Sequence, residues 1–166
     1  MSAIPGCLDK AAVPPKLRPM SDFEPRRFAT DAEIIHLGEG LLACRLGKEE
    51  WTHEAHLAAS LYLLSERPDV DVDAEIGGII ARFNESVGTV NDDSGGYHAT
   101  ITRSYVAGIR AFLRCAQEET LVARVNALLA SPAGRRDWPL RFYSKARLSS
   151  VAARRQFVEP DRAKLP

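Results

Sequence analysis

Trp51-Thr52-His53-Glu54-Ala55-His56-Leu57-Ala58-Ala59-Ser60-Leu61-Tyr62-Leu63-Leu64-Ser65-Glu66 is the stretch on which the fold turns. Counting ~100° per residue, His53 shares an arc with His56, Leu57, Ser60, Leu61 and Leu64, which predicts an amphipathic helix from about Trp51 to Glu66. Both imidazoles then sit in the middle of a leucine face, one turn apart. The short polar run Gly47-Lys48-Glu49-Glu50 before it has the length of a connection between antiparallel helices.

The flanking segments follow the same period. Thr30 or Asp31 can cap a first helix to about Leu46, with Ile34, Leu37, Leu41 and Cys44 on one face and His36 on the wet side. After Pro68, Asp71 or Asp73 starts a third helix to about Val87, with a stripe of Ile76, Ile79, Ile80, Phe83 and Val87 and with Asn84 at its edge. The adjacent Gly77-Gly78 costs helix stability and is expected where something packs closely. A polar loop from Gly88 to Gly96 precedes a fourth helix, about Tyr97 to Gln117, with Ser94 a candidate cap. Its inner face carries His98, Ile101, Thr102, Tyr105, Ile109 and Phe112, and Arg103, Arg110 and Arg114 mark the outer one. Thr120 caps a fifth helix to about Ala130, and short helices are expected after Ser144 and from about Ser150. Strand-like alternation and internal repeats are both absent. The fold class is all-α, an up-down bundle of four to five main helices with a docked C-terminal segment of short helices. Residues 29–166 form a single domain, and residues 1–28, with five prolines, read as a tail or surface strap.

At 166 residues and 45% hydrophobic the chain can bury one real core. Its formal net charge is zero, so no overall field draws it to nucleic acid or membrane. Residues 135–166 nevertheless carry nine Lys/Arg against three Asp/Glu, leaving thirteen against nineteen in the rest. A basic C-terminal segment lying across an acidic bundle accounts for this, and an anion-binding edge is the alternative. Cys7, Cys44 and Cys115 are widely spaced and form neither a disulfide framework nor a CxxC unit. With no apolar run of membrane length and no basic-then-apolar start, the expectation is a cytoplasmic protein.

Three of the four histidines, His53, His56 and His98, fall on inward faces. A pair one helical turn apart and a third from a facing helix is an arrangement that can hold a divalent transition metal such as zinc, iron or nickel, with open positions for water or substrate. The spacing His-x-x-His differs from the H-E-x-x-H of zinc proteases, and Glu54 is rotated ~100° from His53, so no zincin-like role is assigned to it. Asn84, Tyr97, Thr102 and Tyr105 are candidates to orient a ligand or substrate. The plainer alternative is that these are core histidines satisfied by Asn84, Thr102, Tyr62 or backbone carbonyls.

With these residues in view, the chain resembles a group of uncharacterised bacterial helical proteins that share W-T-H-x-A-H-L, G-Y-H-x-T-x-T, Y-S-x-x-x-L-x-S, A-R and a terminal V-E-P-D. Here the pattern stands as Trp51 to Leu57, Gly96 to Thr102, Tyr143 to Ser150, Ala153-Arg154 and Val158 to Asp161, over roughly residues 30–166. Arg162 stands where the group tends to an apolar residue. The resemblance brings no activity with it. A looser architectural likeness is to DinB-like bundles, which hold a metal with three histidines, though with an H-x-x-x-H pair.

Three functional readings follow. One is a small metal-dependent enzyme with a single ion on His53, His56 and His98, acting on a small polar or anionic substrate. The second is a metal-free small-molecule binding protein using the same histidine pocket. The third is an interaction module using the basic C-terminal segment. That segment is expected to dock through Trp138, Phe142, Tyr143 and Phe157, and to offer Tyr143, Arg141, Arg147 and Arg154 to an anionic ligand at the mouth of the pocket.

Overall fold

The computed structural model describes residues 26–166, and the expected Pro-rich strap lies outside them up to residue 25. Among the described residues every regular element is helical. α1 spans Asp31–Leu42, α2 His53–Glu66, α3 Val72–Ser86, α4 Ala99–Leu113 and α5 Leu121–Ala130. Two short helices follow, α6 over Lys145–Leu148 and α7 over Val151–Arg155. Short 3-10 turns cover Lys48–Glu50, Pro132–Gly134 and Trp138–Arg141. No helix among the described residues is long and apolar enough to cross a membrane.

Side-chain caps set most of the helix starts. Thr30 and Glu33 form a reciprocal capping box on α1, and Thr52, Asp71 and Thr120 accept backbone N–H bonds at the starts of α2, α3 and α5. Chain entry is fixed by Phe28, which is buried and exchanges two hydrogen bonds with Asn126 of α5, at 3.0 and 2.9 Å.

α2 is the central helix and packs on α1, α4 and α5. Its buried residues are Glu54, Ala55, Leu57, Ala58, Ala59, Leu61, Tyr62 and Leu63. The expected leucine arc is therefore displaced, and His53, His56, Ser60 and Leu64 lie half-buried along one edge. The reason is that α2 is covered on most of its circumference, so a one-sided amphipathic pattern does not locate its core face. On α4 the deepest positions are small: Ala99, Thr100, Ser104, Gly108 and Ala111, with Val106 and Ile109. Trp138 explains this. A Cβ at Gly108 would stand 2.7 Å from the indole nitrogen, and that nitrogen donates to the Ser104 carbonyl at 3.0 Å.

The C-terminal segment docks as expected through Trp138, Phe142 and Tyr143, all buried, whereas Phe157 is 39% exposed. Burying side chains of this size contributes about 1.5–3 kcal/mol each. Polar ties supplement them. The Tyr143 hydroxyl donates to the Val158 carbonyl at 3.0 Å, and Thr100 Oγ1 donates to the Gln156 carbonyl while accepting from the Val158 amide. Arg155 pairs with Asp93 and Arg136 approaches Glu54 at 3.7 Å, so part of the basic segment does meet the bundle's acidic side chains. Cys44 is a free thiol, whereas Cys115 is disulfide-bonded, which the wide spacing of the cysteines did not suggest.

Candidate functional site

α2 and α4 begin, and α3 ends, at the same end of the bundle. Between them lies a cavity of about 480 Å³. Trp51 and His56 form the α2 side, and Ile80, Phe83, Asn84 and Val87 form the α3 side. His98, Ile101 and Thr102 come from α4, Tyr97 and Thr89 from the preceding loop, Lys48 from the turn before α2 and Arg154 from α7. Among the described residues, no Asp or Glu lines it. Thus six of the residues singled out in the sequence, His56, His98, Asn84, Tyr97, Thr102 and Arg154, surround one space.

The other five stand elsewhere. His53 shares a hydrogen bond of 2.9 Å with the Gly134 carbonyl through Nε2 and lies edge-on to Tyr105, ring centroids 5.6 Å apart. Tyr105 donates its hydroxyl to the carbonyls of Arg135 and Arg136. Tyr143 is fully buried, Arg141 lies over the Trp138 ring at 5.5 Å, and Arg147 donates to the Glu159 carbonyl. His53 and Tyr105 thus tie the C-terminal segment to the bundle, whereas the Arg141 and Arg147 contacts lie within that segment. The expectation that all three arginines reach the pocket mouth is met in the structure only by Arg154.

His98 is the N-cap of α4, in place of the expected Ser94. Its Nδ1 accepts from the Ile101 amide at 3.3 Å and its Nε2 faces the Leu148 carbonyl at 3.0 Å. A ring nitrogen that accepts cannot carry the proton, so the ring is the neutral tautomer with Nε2–H donating to Leu148. Burial holds its pKa below the ordinary value, and nearby Arg154 adds to this against the opposing pull of the Leu148 bond. His53 is likewise lowered, by burial first. The plainer reading of core histidines bonded to backbone carbonyls thus describes His53 and His98.

His56 differs. Its ring stacks on Trp51 with centroids 3.9 Å apart, and Trp51 in turn meets Phe83 edge-on at 5.1 Å. Neither ring nitrogen of His56 bonds a described protein group. Burial, with His53 and Arg136 acting in the same direction, brings its pKa down to about 4. At neutral pH this is an uncharged imidazole with one N–H and one lone pair facing open space.

Arg154 is the second unusual group. One guanidinium nitrogen makes two long bonds, 3.4 and 3.3 Å, to the carbonyls of Gly96 and Tyr97. Its charge helps to lower the Asp92 carboxyl, but no described carboxylate forms an ion pair with it. Its neighbour Arg155 by contrast grips Asp93 with two bonds of 2.7 and 2.8 Å. The wall itself is fixed by Asn91, whose side-chain oxygen accepts from Asn84 and from the Tyr97 amide, both at 2.9 Å. Gly77 leaves room for the Tyr97 ring, since a Cβ there would lie 2.9 Å from its hydroxyl oxygen. The glycine pair therefore serves a side chain of the cavity, and Gly78 is open to solvent.

As placed, the three histidines do not make a three-imidazole ligand set. His98 has both nitrogens committed and His53 one, and His53 does not line the cavity. Among the described residues no group of three or more His, Cys, Asp or Glu side chains is arranged to hold a metal ion. His36 is exposed and pairs with Glu50 at 2.9 Å, in keeping with its exclusion.

Sequence reasoning missed two lining groups and one buried one. Trp51 was legible, as the first residue of the quoted helix, but only as a helix start. Lys48 carried no signal, because a lysine in a polar turn is ordinarily solvated. Glu54 is only 4% exposed and has an oxygen with no hydrogen bond, yet it is not among the residues that line the cavity. The sequence matches no protein-family model, and neither a curated protein nor a solved structure is detectably similar to it.

Proposed function

We propose that this chain is a small-molecule binding protein whose ligand occupies the cavity between α2, α3 and α4 without a metal ion. The observation that carries the reading is His56, an uncharged imidazole with unpartnered nitrogens. It faces a space of ligand size, about 480 Å³, walled by aromatic and aliphatic side chains with a few convergent polar groups. Lys48 and Arg154 bring positive charge with no carboxylate among the described lining residues, which favours a polar or anionic guest.

The competing proposal, a metal enzyme with zinc, iron or nickel on His53, His56 and His98, requires His98 to give up the cap of α4. Elemental analysis of untagged protein, followed by titration with each of the three metals, separates the two. The pocket reading expects neither a resident metal nor stoichiometric uptake. One equivalent of metal that is lost in His53→Ala, His56→Ala and His98→Ala alike would sink it. The interaction-module reading is less favoured, because Arg135, Arg147, Arg155 and Arg162 are held by protein groups. A cytoplasmic location and the absence of a nucleic-acid partner belong to the same proposal.

A further inference from the structure

The cavity's polar groups are arranged unevenly. Ile80, Phe83 and Ile101 with Trp51 make an apolar interior, and the fixed charges, Lys48 and Arg154, are both cations. A purely polar anion would leave the apolar wall dry and unused, and a neutral apolar guest would leave the guanidinium of Arg154 with only its two long bonds to the Gly96 and Tyr97 carbonyls. The first turns of α2 and α4 open toward the same space, and helix N-termini favour negative charge. The complementary guest is an apolar body bearing one anionic group.

Such a guest changes the surroundings of His56. The charged and titratable groups about that ring are His53 and Glu54 on its own helix, Lys48 before it, Tyr97 and His98 across the cavity, Arg154 from α7 and Arg136 after α5. Lys48 and Arg154 are donor-only side chains with no lone pair to offer a proton. His98 cannot gain a proton at Nδ1 without turning an N–H against the Ile101 amide and undoing the cap. Burial holds the Tyr97 hydroxyl above its ordinary value, so it stays neutral. His56 alone in the lining has an unengaged lone pair on a neutral ring. We propose that the cavity takes up a small acid, an apolar body with one anionic group, together with one proton that His56 receives.

This rests on the pocket reading above and adds the ligand class and the proton. The physical reason is that a negative charge brought within contact distance in a desolvated site stabilises the imidazolium strongly. A value of about 4 then moves toward neutrality. His56 binds its proton more tightly in the complex than in the free protein. Affinity therefore rises as pH falls, by up to about tenfold per pH unit between the two values.

The test is a histidine-ring NMR titration against pH, with signals assigned by through-bond correlation to the backbone so that no variant is needed. The probes are benzoate, its neutral isostere benzamide, and inorganic phosphate. Benzoate is expected to raise the His56 midpoint by at least about one pH unit, to leave His98 unmoved and to bind more tightly than either other probe. Benzoate that perturbs the Trp51 indole without moving the His56 midpoint would overturn the proton, and benzamide or phosphate binding as well as benzoate would overturn the ligand class. Either result leaves the pocket reading standing. If none of the three perturbs Trp51 or His56, the pocket reading falls with it.

Discussion

His98→Ala separates the structural role of this residue from a ligand role more cleanly than any other change. Two bonds are lost. Removing an N-cap costs about 0.5–2 kcal/mol, and here the cap acts through Nδ1 on the Ile101 amide. The second loss strands the Leu148 carbonyl, which faced Nε2 at 3.0 Å, and an orphaned buried acceptor costs about 1–3 kcal/mol. Together these destabilise the fold by about 1.5–5 kcal/mol. His98→Asn restores a good N-cap but cannot reach Leu148, so it should recover about 1 kcal/mol of the loss. Urea denaturation followed by circular dichroism reads both, with the slope of the transition unchanged. The reasoning is refuted if alanine is tolerated within about 0.5 kcal/mol, or if alanine and asparagine are equally costly. A metal-ligand role alone would leave the stability of metal-free protein nearly untouched.

Burial lowers the pKa values of His53, His56 and His98, the second to about 4. The unfolded chain therefore binds more protons below about pH 6.5, and stability should fall from there toward pH 4 and be fully present above. His56 alone contributes up to about 3 kcal/mol of that loss, and His56→Gln should flatten the urea midpoint's pH dependence. Arg154→Ala should weaken benzoate binding at least about tenfold, in line with a charged hydrogen bond. Arg141→Ala and Arg147→Ala should not, as direct titration by NMR will show. Ending the chain after Gly134 removes the buried Trp138 and Tyr143 and should give a dye-binding, aggregation-prone protein; a truncated form that is monomeric and as heat-stable as the full chain would make the segment a detachable tail.

Much of the architecture was legible in the sequence because helix formation is local. Caps at Thr30, Asp71 and Thr120 and the period of Ile76, Ile79, Ile80 and Phe83 all act within a turn or two of themselves. The exposure of His36 was legible for the same reason. What a periodic pattern cannot encode is which partner meets a face. α2 is surrounded, so its core side is set by α1, α4 and α5 together and not by its own leucines. The small-residue face of α4 makes sense only once Trp138, far along the chain, is seen on Gly108.

The separation of the histidines is decided in the same non-local way. By sequence His53, His56 and His98 are alike, three imidazoles on inward helical positions. Tertiary packing brings the Gly134 carbonyl to His53 and the Leu148 carbonyl to His98, bonds that span 81 and 50 residues. It brings no carbonyl to His56, and sets Arg154 and Lys48 around the same space instead. A side chain's chemistry is its own, and so belongs to the sequence. Whether its lone pair is occupied depends on backbone groups that only the folded chain brings within 3 Å of His98 and His53.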